Sequence, residues 1–409
     1  MKTTRKPIFL LKLMVVLRAQ TEYNLRCLGL FIEKGAVLII MNVLYGVGFV
    51  AACLIALLMT PLVKRFAFWV GAVDAPNHRK VHSRIMPRLG GLAIFMAFVG
   101  AYFVVSPAMS SVNTDVALGL LVGGTIIVIL GALDDRFDLS PKVKLLGQII
   151  AACVVVYSGV VIDLVNVPFG DSTISLTWLA VPLTIFWIVG VTNAINLIDG
   201  LDGLSAGVSG IATTTILILA LMMGNVTVVL LSVILLGSIV GFLFYNFHPA
   251  KIFMGDSGSL FLGFSLATLS ILGFKQATVL SLLVPIMILG VPLSDTFFAI
   301  LRRWVNKLPI SRPDKSHLHH CLLQLGFSHR LTVLIIYSIA SVFGVSAVLL
   351  SYMSDKEVIW GVVLLIVVLV AILVLGAEAI GIISQTKKPV LRFLQKVRVM
   401  LGARSRMTK

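Results

Sequence analysis

Trp178-Leu179-Ala180-Val181-Pro182-Leu183-Thr184-Ile185-Phe186-Trp187-Ile188-Val189-Gly190-Val191-Thr192 runs without a charge into Asn193-Ala194-Ile195-Asn196-Leu197-Ile198-Asp199-Gly200-Leu201-Asp202-Gly203-Leu204. The first part, with the apolar residues up to Ile198, has the length of a helix that crosses a hydrocarbon layer about 30 Å thick, which takes roughly 20 residues. The second part is its opposite. Two carboxamides and two carboxylates are crowded together, and Gly200 and Gly203 permit tight turns and close ligand approach. A new apolar run then begins at Leu204. A membrane helix that ends in a polar loop and returns as another helix is the pattern of the whole chain.

The 409 residues are 59% hydrophobic and 12% charged, and mean hydropathy is +1.06. Soluble domains carry roughly a quarter charged residues, so the bilayer is the solvent for most of this protein. Apolar runs fall at 42–62, 90–106, 116–133, 145–162, 178–198, 204–222, 226–247, 258–273, 277–301, 331–353 and 359–383. They are continuous rather than alternating, which argues against a β-barrel. The expectation is an all-α polytopic membrane protein with about eleven transmembrane helices. The breaks at Asp199–Gly203 and Phe274–Gln276 are short, so their flanking helices are expected to form antiparallel hairpins.

The formal charge is +16, but no RNA- or DNA-binding motif appears. The positive-inside rule explains the excess instead. One set of loops holds Lys64, Arg65, Arg79, Lys80, Arg84, Arg88, Arg136, Lys142, Lys144, Lys251, Arg302, Arg303, Lys307, Arg312, Lys315, Arg330 and the tail from Lys387. The opposite set holds only Lys275 and Lys356 after residue 41. All 7 histidines share the basic side, so the active-site loops are expected on the cytoplasmic face. The 4 cysteines match no CxxC or disulfide framework, and Cys53 and Cys153 read as packing residues in apolar runs.

Three parts are expected: a basic extension over 1–40, a multi-span domain over 41–384 and a basic cytoplasmic tail over 385–409. The extension reads as an interfacial helix, as an extra span or cleaved leader, or as sequence upstream of a true start at Met41, the reading preferred here. The tail reads equally as an amphipathic segment on anionic lipid or as a solvated end.

Five loops carry chemistry. The first holds Arg79-Lys80-Val81-His82 and Pro87-Arg88-Leu89-Gly90-Gly91, where the glycine pair entering a span points to close backbone packing and assigns no catalysis alone. Asp134-Asp135-Arg136-Phe137-Asp138 places adjacent carboxylates at a helix end, where they repel unless a cation or a phosphate proton lies nearby. In the loop after 193, Asn193, Asn196 and Asp199 share a helix face and offer hard oxygen ligands suited to Mg²⁺. Asn246-Phe247-His248-Pro249-Ala250-Lys251-Ile252-Phe253-Met254-Gly255-Asp256-Ser257-Gly258-Ser259 puts Asp256 at a helix N-terminus, where backbone N–H groups attract phosphate. Phe253 reads either as a nucleobase platform or as a membrane-interface aromatic. In Asp314-Lys315-Ser316-His317-Leu318-His319-His320 no partner completes a zinc site, so phosphate or sugar contact is the functional reading.

Together these loops resemble the polyprenyl-phosphate N-acetylhexosamine-1-phosphate transferase family, glycosyltransferase family 4. The residues that carry the likeness are Arg79-Lys80-x-His82 with Pro87-Arg88-x-Gly90-Gly91, Asp134-Asp135-x-x-Asp138, Asn193-x-x-Asn196-x-x-Asp199-Gly200-x-Asp202-Gly203-Leu204, Phe253-Met254-Gly255-Asp256-Ser257-Gly258-Ser259 and His317-Leu318-His319-His320. They occur in the family's order from about Leu44 to Arg330. The ordered set is specific, although each motif alone is modest. The histidine loop is similar to that of the bacterial undecaprenyl-phosphate GlcNAc-1-phosphate transferases, which start teichoic acid, O-antigen or related chains. The peptidoglycan branch has three consecutive histidines where Leu318 interrupts here.

The resemblance implies transfer of GlcNAc-1-phosphate from UDP-GlcNAc to undecaprenyl phosphate with release of UMP, at a bacterial plasma membrane. It implies Mg²⁺, with Mn²⁺ as a substitute, on Asn196 and Asp256. Asp134, Asp135 and Asp199 are the catalytic expectations, the first two at the lipid phosphate. Lys144, Asp202, Asn246, Phe253, His317, His319 and His320 are the substrate contacts. A homodimer is expected by analogy. Direct attack and a two-step route through an aspartyl-phosphate both stand at this point. The alternatives are a phospho-MurNAc-pentapeptide transferase and, in another class, a nucleotide-sugar or lipid-linked-sugar transporter. Transporters place binding groups near mid-membrane, whereas Asp295 and Glu378 are the chief intramembrane ionisable residues and lie near the expected cytoplasmic ends.

Overall fold

The computed structural model describes residues 39–74, 85–109, 111–166, 173–274, 283–305, 307, 317–352 and five positions between 360 and 368. Two units are distinguished, Met1–Val47 and Gly48–Lys409. Of the first, the described residues 39–47 are helical; the second contains the remaining described elements. The expected basic extension and tail lie outside the described residues, apart from Ile39 and Ile40.

The helices are α1 (Ile39–Val70), α2 (Gly90–Val105), α3 (Thr114–Phe137), α4 (Pro141–Tyr157), α5 (Ala180–Ile198), α6 (Leu204–Met222), α7 (Val226–Asn246), α8 (Gly255–Phe274), α9 (Leu283–Ile288), α10 (Gly290–Val305), α11 (Leu318–Gln324) and α12 (His329–Tyr352). Two short antiparallel ladders accompany them: β1 (Val73–Asp74) with β2 (Met86–Pro87), and β3 (Leu164–Asn166) with β4 (Thr173–Ser175). The protein is an all-α polytopic membrane protein.

Among the described residues, 8 helices are long and apolar enough to cross a membrane: α1, α2, α3, α5, α6, α7, α8 and α12. The run at 145–162 yields the shorter α4, of 17 residues. The run at 277–301 is divided into α9 and α10 at Leu289. The run at 359–383 lies almost wholly outside the described residues. Large apolar side chains such as Phe103, Ile129, Leu146, Phe186 and Phe244 are exposed on the outer faces, a surface that suits lipid. Cys153, expected to pack inside, also lies on an exposed face. A thiol behaves as a small apolar group, so contact with hydrocarbon costs it little.

Local signals set the helix ends. Asn113 and Asn225 cap α3 and α7 by accepting the N–H of Val116 and Val228. Pro141 opens α4 at a position whose N–H has no helical partner. Within the spans, Thr184, Thr192 and Thr213 return their hydroxyls to the carbonyl four residues back, so no buried O–H is left unpaired at these positions.

α8 is the centre of the bundle. It packs against α3, α5, α2 and α6, and 83% of its apolar window is buried, against 44% for α2. Small residues allow this. A Cβ on Gly91 would collide with the backbone of Gly258, and one on Gly131 would come within 2.5 Å of the Ser257 backbone. Close backbone approach of this kind drives helix association in lipid, where burial of apolar surface offers little. α5 packs mainly along α8, α4 and α10, and α6 along α7 and α12. The tight loop between α5 and α6 therefore hands the chain to a different set of neighbours. The 275–282 segment, where the second hairpin was expected, lies outside the described residues.

Candidate active site

The last turns of α3 and α5 and the first turns of α4 and α8 meet at one end of the bundle. Lys144 Nζ donates to Asp134 Oδ2 at 2.7 Å and to Asp256 Oδ2 at 2.6 Å. One ammonium thus joins two helices' carboxylates. The other oxygen of Asp134 accepts the N–H of Leu139 at 2.7 Å, which closes the turn after Asp138 takes a left-handed conformation. Asp256 keeps 29% of its side chain exposed, enough to meet a ligand.

Asp135 is placed differently from its neighbour. Its two oxygens accept the N–H groups of Asp256 at 2.8 Å and Ser257 at 3.1 Å, and the residue is buried. Asp135 therefore caps α8. The sequence expectation that this helix N-terminus is open to phosphate is corrected: an internal carboxylate already occupies two of its donors and meets the positive end of the helix dipole.

Asn196 donates from Nδ2 to Ser259 Oγ at 2.9 Å and lies near the Asp256 carboxylate. The two expected metal ligands are thus neighbours. Asn193 turns instead to α4, where its amide exchanges hydrogen bonds with buried Gln148 at 2.6 and 3.3 Å. Asp199 follows α5. Burial, then the carboxylates of Asp256, Asp135 and Asp202, push its carboxyl up to about 8, against the pull of Arg88.

The first loop reaches this site through its backbone. Phe253 N–H donates to Pro87 C=O at 2.9 Å, Gly90 N–H to Phe253 C=O at 3.0 Å and Gly91 N–H to Met254 C=O at 2.8 Å. Arg88 pairs with Asp74 at 2.8 Å. The Pro-Arg-x-Gly-Gly segment is the seat of the loop that carries Asp256, while the Phe253 side chain stays half-buried. Arg79, Lys80 and His82 lie outside the described residues.

A second group lies around the loop after α5. Asn246 is buried and uses both ends of its amide, accepting Gly203 N–H at 3.1 Å and donating to Ile252 C=O at 3.0 Å. Asp202 Oδ2 faces His248 Nδ1 at 2.8 Å and accepts Ala250 N–H at 3.0 Å. The His248 ring stacks on His329 with centroids 4.3 Å apart. Tyr337 O–H donates to Gly203 C=O. Asn246 and Asp202, expected at the substrate, hold loops to one another here.

His317 and His319 are buried, and His320 is half-buried. His317 Nδ1 faces Asp295 Oδ2 at 2.8 Å. A Cβ on Gly200 would strike the Nε2 of His319, so the glycine is what lets this ring lie against the loop of Asp199. Burial and then the adjacent His320 hold the His319 imidazole down at about 3, neutral at pH 7.

Asp134 and Asp256, joined through Lys144, and Asn196 beside Ser259 bring hard oxygen donors to this end of the bundle. Two carboxylates share a single ammonium here, an excess of negative charge and of oxygen donors that fits a divalent cation such as Mg²⁺. Among the described residues, Asp202, His248 and His329 offer ligand atoms within 4.8 Å of one another. Their stacked rings are only 21° from parallel, which directs the in-plane lone pairs side by side and suits hydrogen bonding better than chelation.

Sequence reasoning had no signal for the capping by Asp135 or the pairing of Asp295 with His317. For the seat formed by Pro87–Gly91, the glycine pair was the available cue.

The family model for glycosyl transferase family 4 matches residues 117–274. A relative from Bacillus subtilis, described as a probable undecaprenyl-phosphate N-acetylglucosaminyl 1-phosphate transferase, is 48% identical over 86% of this chain and 96% of its own. The decaprenyl-phosphate N-acetylglucosaminephosphotransferase of Mycobacterium tuberculosis is 39% identical over 70% of this chain and 77% of its own. A phospho-N-acetylmuramoyl-pentapeptide-transferase of Halalkalibacterium halodurans is 33% identical over 74% and 94%.

Proposed function

Because the chain belongs to glycosyl transferase family 4, we propose that it transfers GlcNAc-1-phosphate from UDP-GlcNAc to undecaprenyl phosphate and releases UMP. The observation that carries this reading is the bridge of Lys144 between Asp134 and Asp256, at the polar end of helices whose outer faces are apolar. An acceptor anchored in lipid and a soluble donor meet at such a boundary. The Bacillus subtilis and Mycobacterium tuberculosis relatives described as GlcNAc-phosphate transferases are more similar than the Halalkalibacterium pentapeptide transferase, at 48% and 39% against 33% identity, and Leu318 interrupts the histidine run. Both points favour the GlcNAc donor. The distribution of basic residues supports a cytoplasmic site in a bacterial plasma membrane.

In this reading an oxygen of the lipid phosphate attacks the β-phosphorus of UDP-GlcNAc. The new P–O bond forms as the bond to the UMP oxygen breaks, and UMP leaves with the electron pair. Asp134, on release of its oxygen from Lys144, receives the proton of a singly protonated lipid phosphate, whose second pKa is about 6, so weak base strength suffices. Lys144 lies between the acceptor and donor sides and offsets the charge of two approaching anions. Asp135 keeps the Asp256 turn in place, and Asp199 borders the donor. Phe253, His319 and His320 line the donor side. A divalent cation, Mg²⁺ or Mn²⁺, held by Asp256 and Asn196 would neutralise the donor diphosphate.

The test is UMP release by purified protein in detergent or liposomes, with and without Mg²⁺ and undecaprenyl phosphate. Release from UDP-GlcNAc that needs both is expected. A preference for UDP-GalNAc or UDP-MurNAc-pentapeptide would reassign the donor, and transport of intact UDP-GlcNAc without hydrolysis would replace the enzyme by a carrier.

A further inference from the structure

Asp295 lies on α10, outside all five loop motifs, yet it is tied to the histidine turn. Its residue is 9% exposed and that of His317 is 5%. Oδ2 faces His317 Nδ1 at 2.8 Å, and Oδ1 accepts the N–H of Leu318 at 2.9 Å. His317 is the N-cap residue of α11, but its own side chain makes no capping hydrogen bond. The cap is supplied from another helix instead. One carboxylate therefore fixes both the ring of His317 and the first N–H of α11.

The effect is passed on. The His319 ring lies parallel to that of His317, 4° apart with centroids 6.0 Å distant, and it is pressed against Gly200 beside Asp199. Any shift in the start of α11 moves the histidines relative to the α5–α6 loop. A carboxylate offers acceptors only. Asp295 thereby places the His317 proton on Nδ1 and leaves Nε2 at the opposite edge of the ring.

We propose that Asp295 is a positioning residue of the transfer reaction, acting through His317 to hold the His-Leu-His-His turn against the Asp199–Gly200 loop. This rests on the transferase reading. Asp295→Asn keeps nearly the same shape but leaves only one acceptor. With that acceptor on Leu318 N–H, its NH₂ faces His317 Nδ1, which can accept only if the ring moves its proton to Nε2, so either the bond or the His317 tautomer is lost while packing is kept.

The experiment compares Asp295→Asn, His317→Gln and the double variant, with kcat and the KM for UDP-GlcNAc measured beside the unfolding temperature. A misplacement of about 1 Å can cost ~10²-fold in rate, so Asp295→Asn is expected to lower kcat by ~10- to 100-fold and to change KM less. In the His317→Gln background the same change should cost almost nothing further, since the route of action is already cut. Hydrogen–deuterium exchange over residues 317–325 should rise in Asp295→Ala, which removes both acceptors. An unchanged kcat, or a loss that multiplies onto that of His317→Gln, would overturn the proposal. If the unaltered chain releases no UMP, the transferase reading fails; the exchange measurement still decides the clamp, and unaltered exchange overturns it.

Discussion

The two polar clusters use similar side chains to different ends. Around α3, α4 and α8, Asp134 and Asp256 share one lysine, and Asp256 remains partly exposed. Around α6, α7 and α12, Asp202 spends its oxygen on His248 and Ala250, and Asn246 spends both ends of its amide on Gly203 and Ile252. The first cluster has more negative charge than its own cation neutralises and can meet a charged ligand. In the second, Asn246 is satisfied internally and holds loops in place. Exposure and uncompensated charge, more than residue type, set Asp256 apart from Asn246.

The sharpest way to break this contrast is at Asp256. Asp256→Ala should lower UMP release by at least ~10²- to 10³-fold, with membrane insertion and unfolding temperature little changed. Asp135→Asn should also abolish most turnover, but with a loss of about 1 kcal/mol in stability because it disturbs the cap of α8. Equal stability of both variants would show that the cap contributes nothing. An intermediate effect is expected in the second cluster: Asp202→Ala should cost about 1–3 kcal/mol of stability and alter kcat less than Asp256→Ala does. A selective rise in the KM for UDP-GlcNAc at unchanged stability would return Asp202 to the substrate.

The smallest effect concerns pH. His319 has a folded value of about 3, against roughly 6.5 for free histidine. Between these values the unfolded chain binds a proton that the folded chain does not, so stability rises with pH in this window and falls as pH drops below 6.5. His319→Gln should flatten that dependence between pH 7 and pH 5 in unfolding measurements. An unchanged slope would mean that the ring is hydrated in solution.

Much of the molecule was legible in the sequence. Runs such as 204–222 and 226–247 are observed as α6, with the same ends, and α7, which stops one residue earlier, because hydrocarbon demands continuous apolar helices. The broken run at 277–301 was not legible, since hydropathy does not register the interruption at Leu289. Within the candidate site, the family resemblance implied the neighbourhood of Asn196 and Asp256, whereas nothing in the sequence implied the distinction between Asp134 and Asp135. Adjacent residues of the same type carry the same label in a sequence, and only the position of α8 separates the one that meets Lys144 from the one that meets backbone N–H groups.

By itself, then, the chain of residues determined that this is a membrane-embedded helical fold with polar loops gathered at one end. Composition and charge distribution are enough for that, since each span must satisfy its backbone internally and each charge must find water or a partner. The tertiary structure decided which polar group faces a ligand and which holds the frame. That choice depends on contacts between residues more than a hundred positions apart, such as Lys144 with Asp256, whose directions are set only when the helices pack.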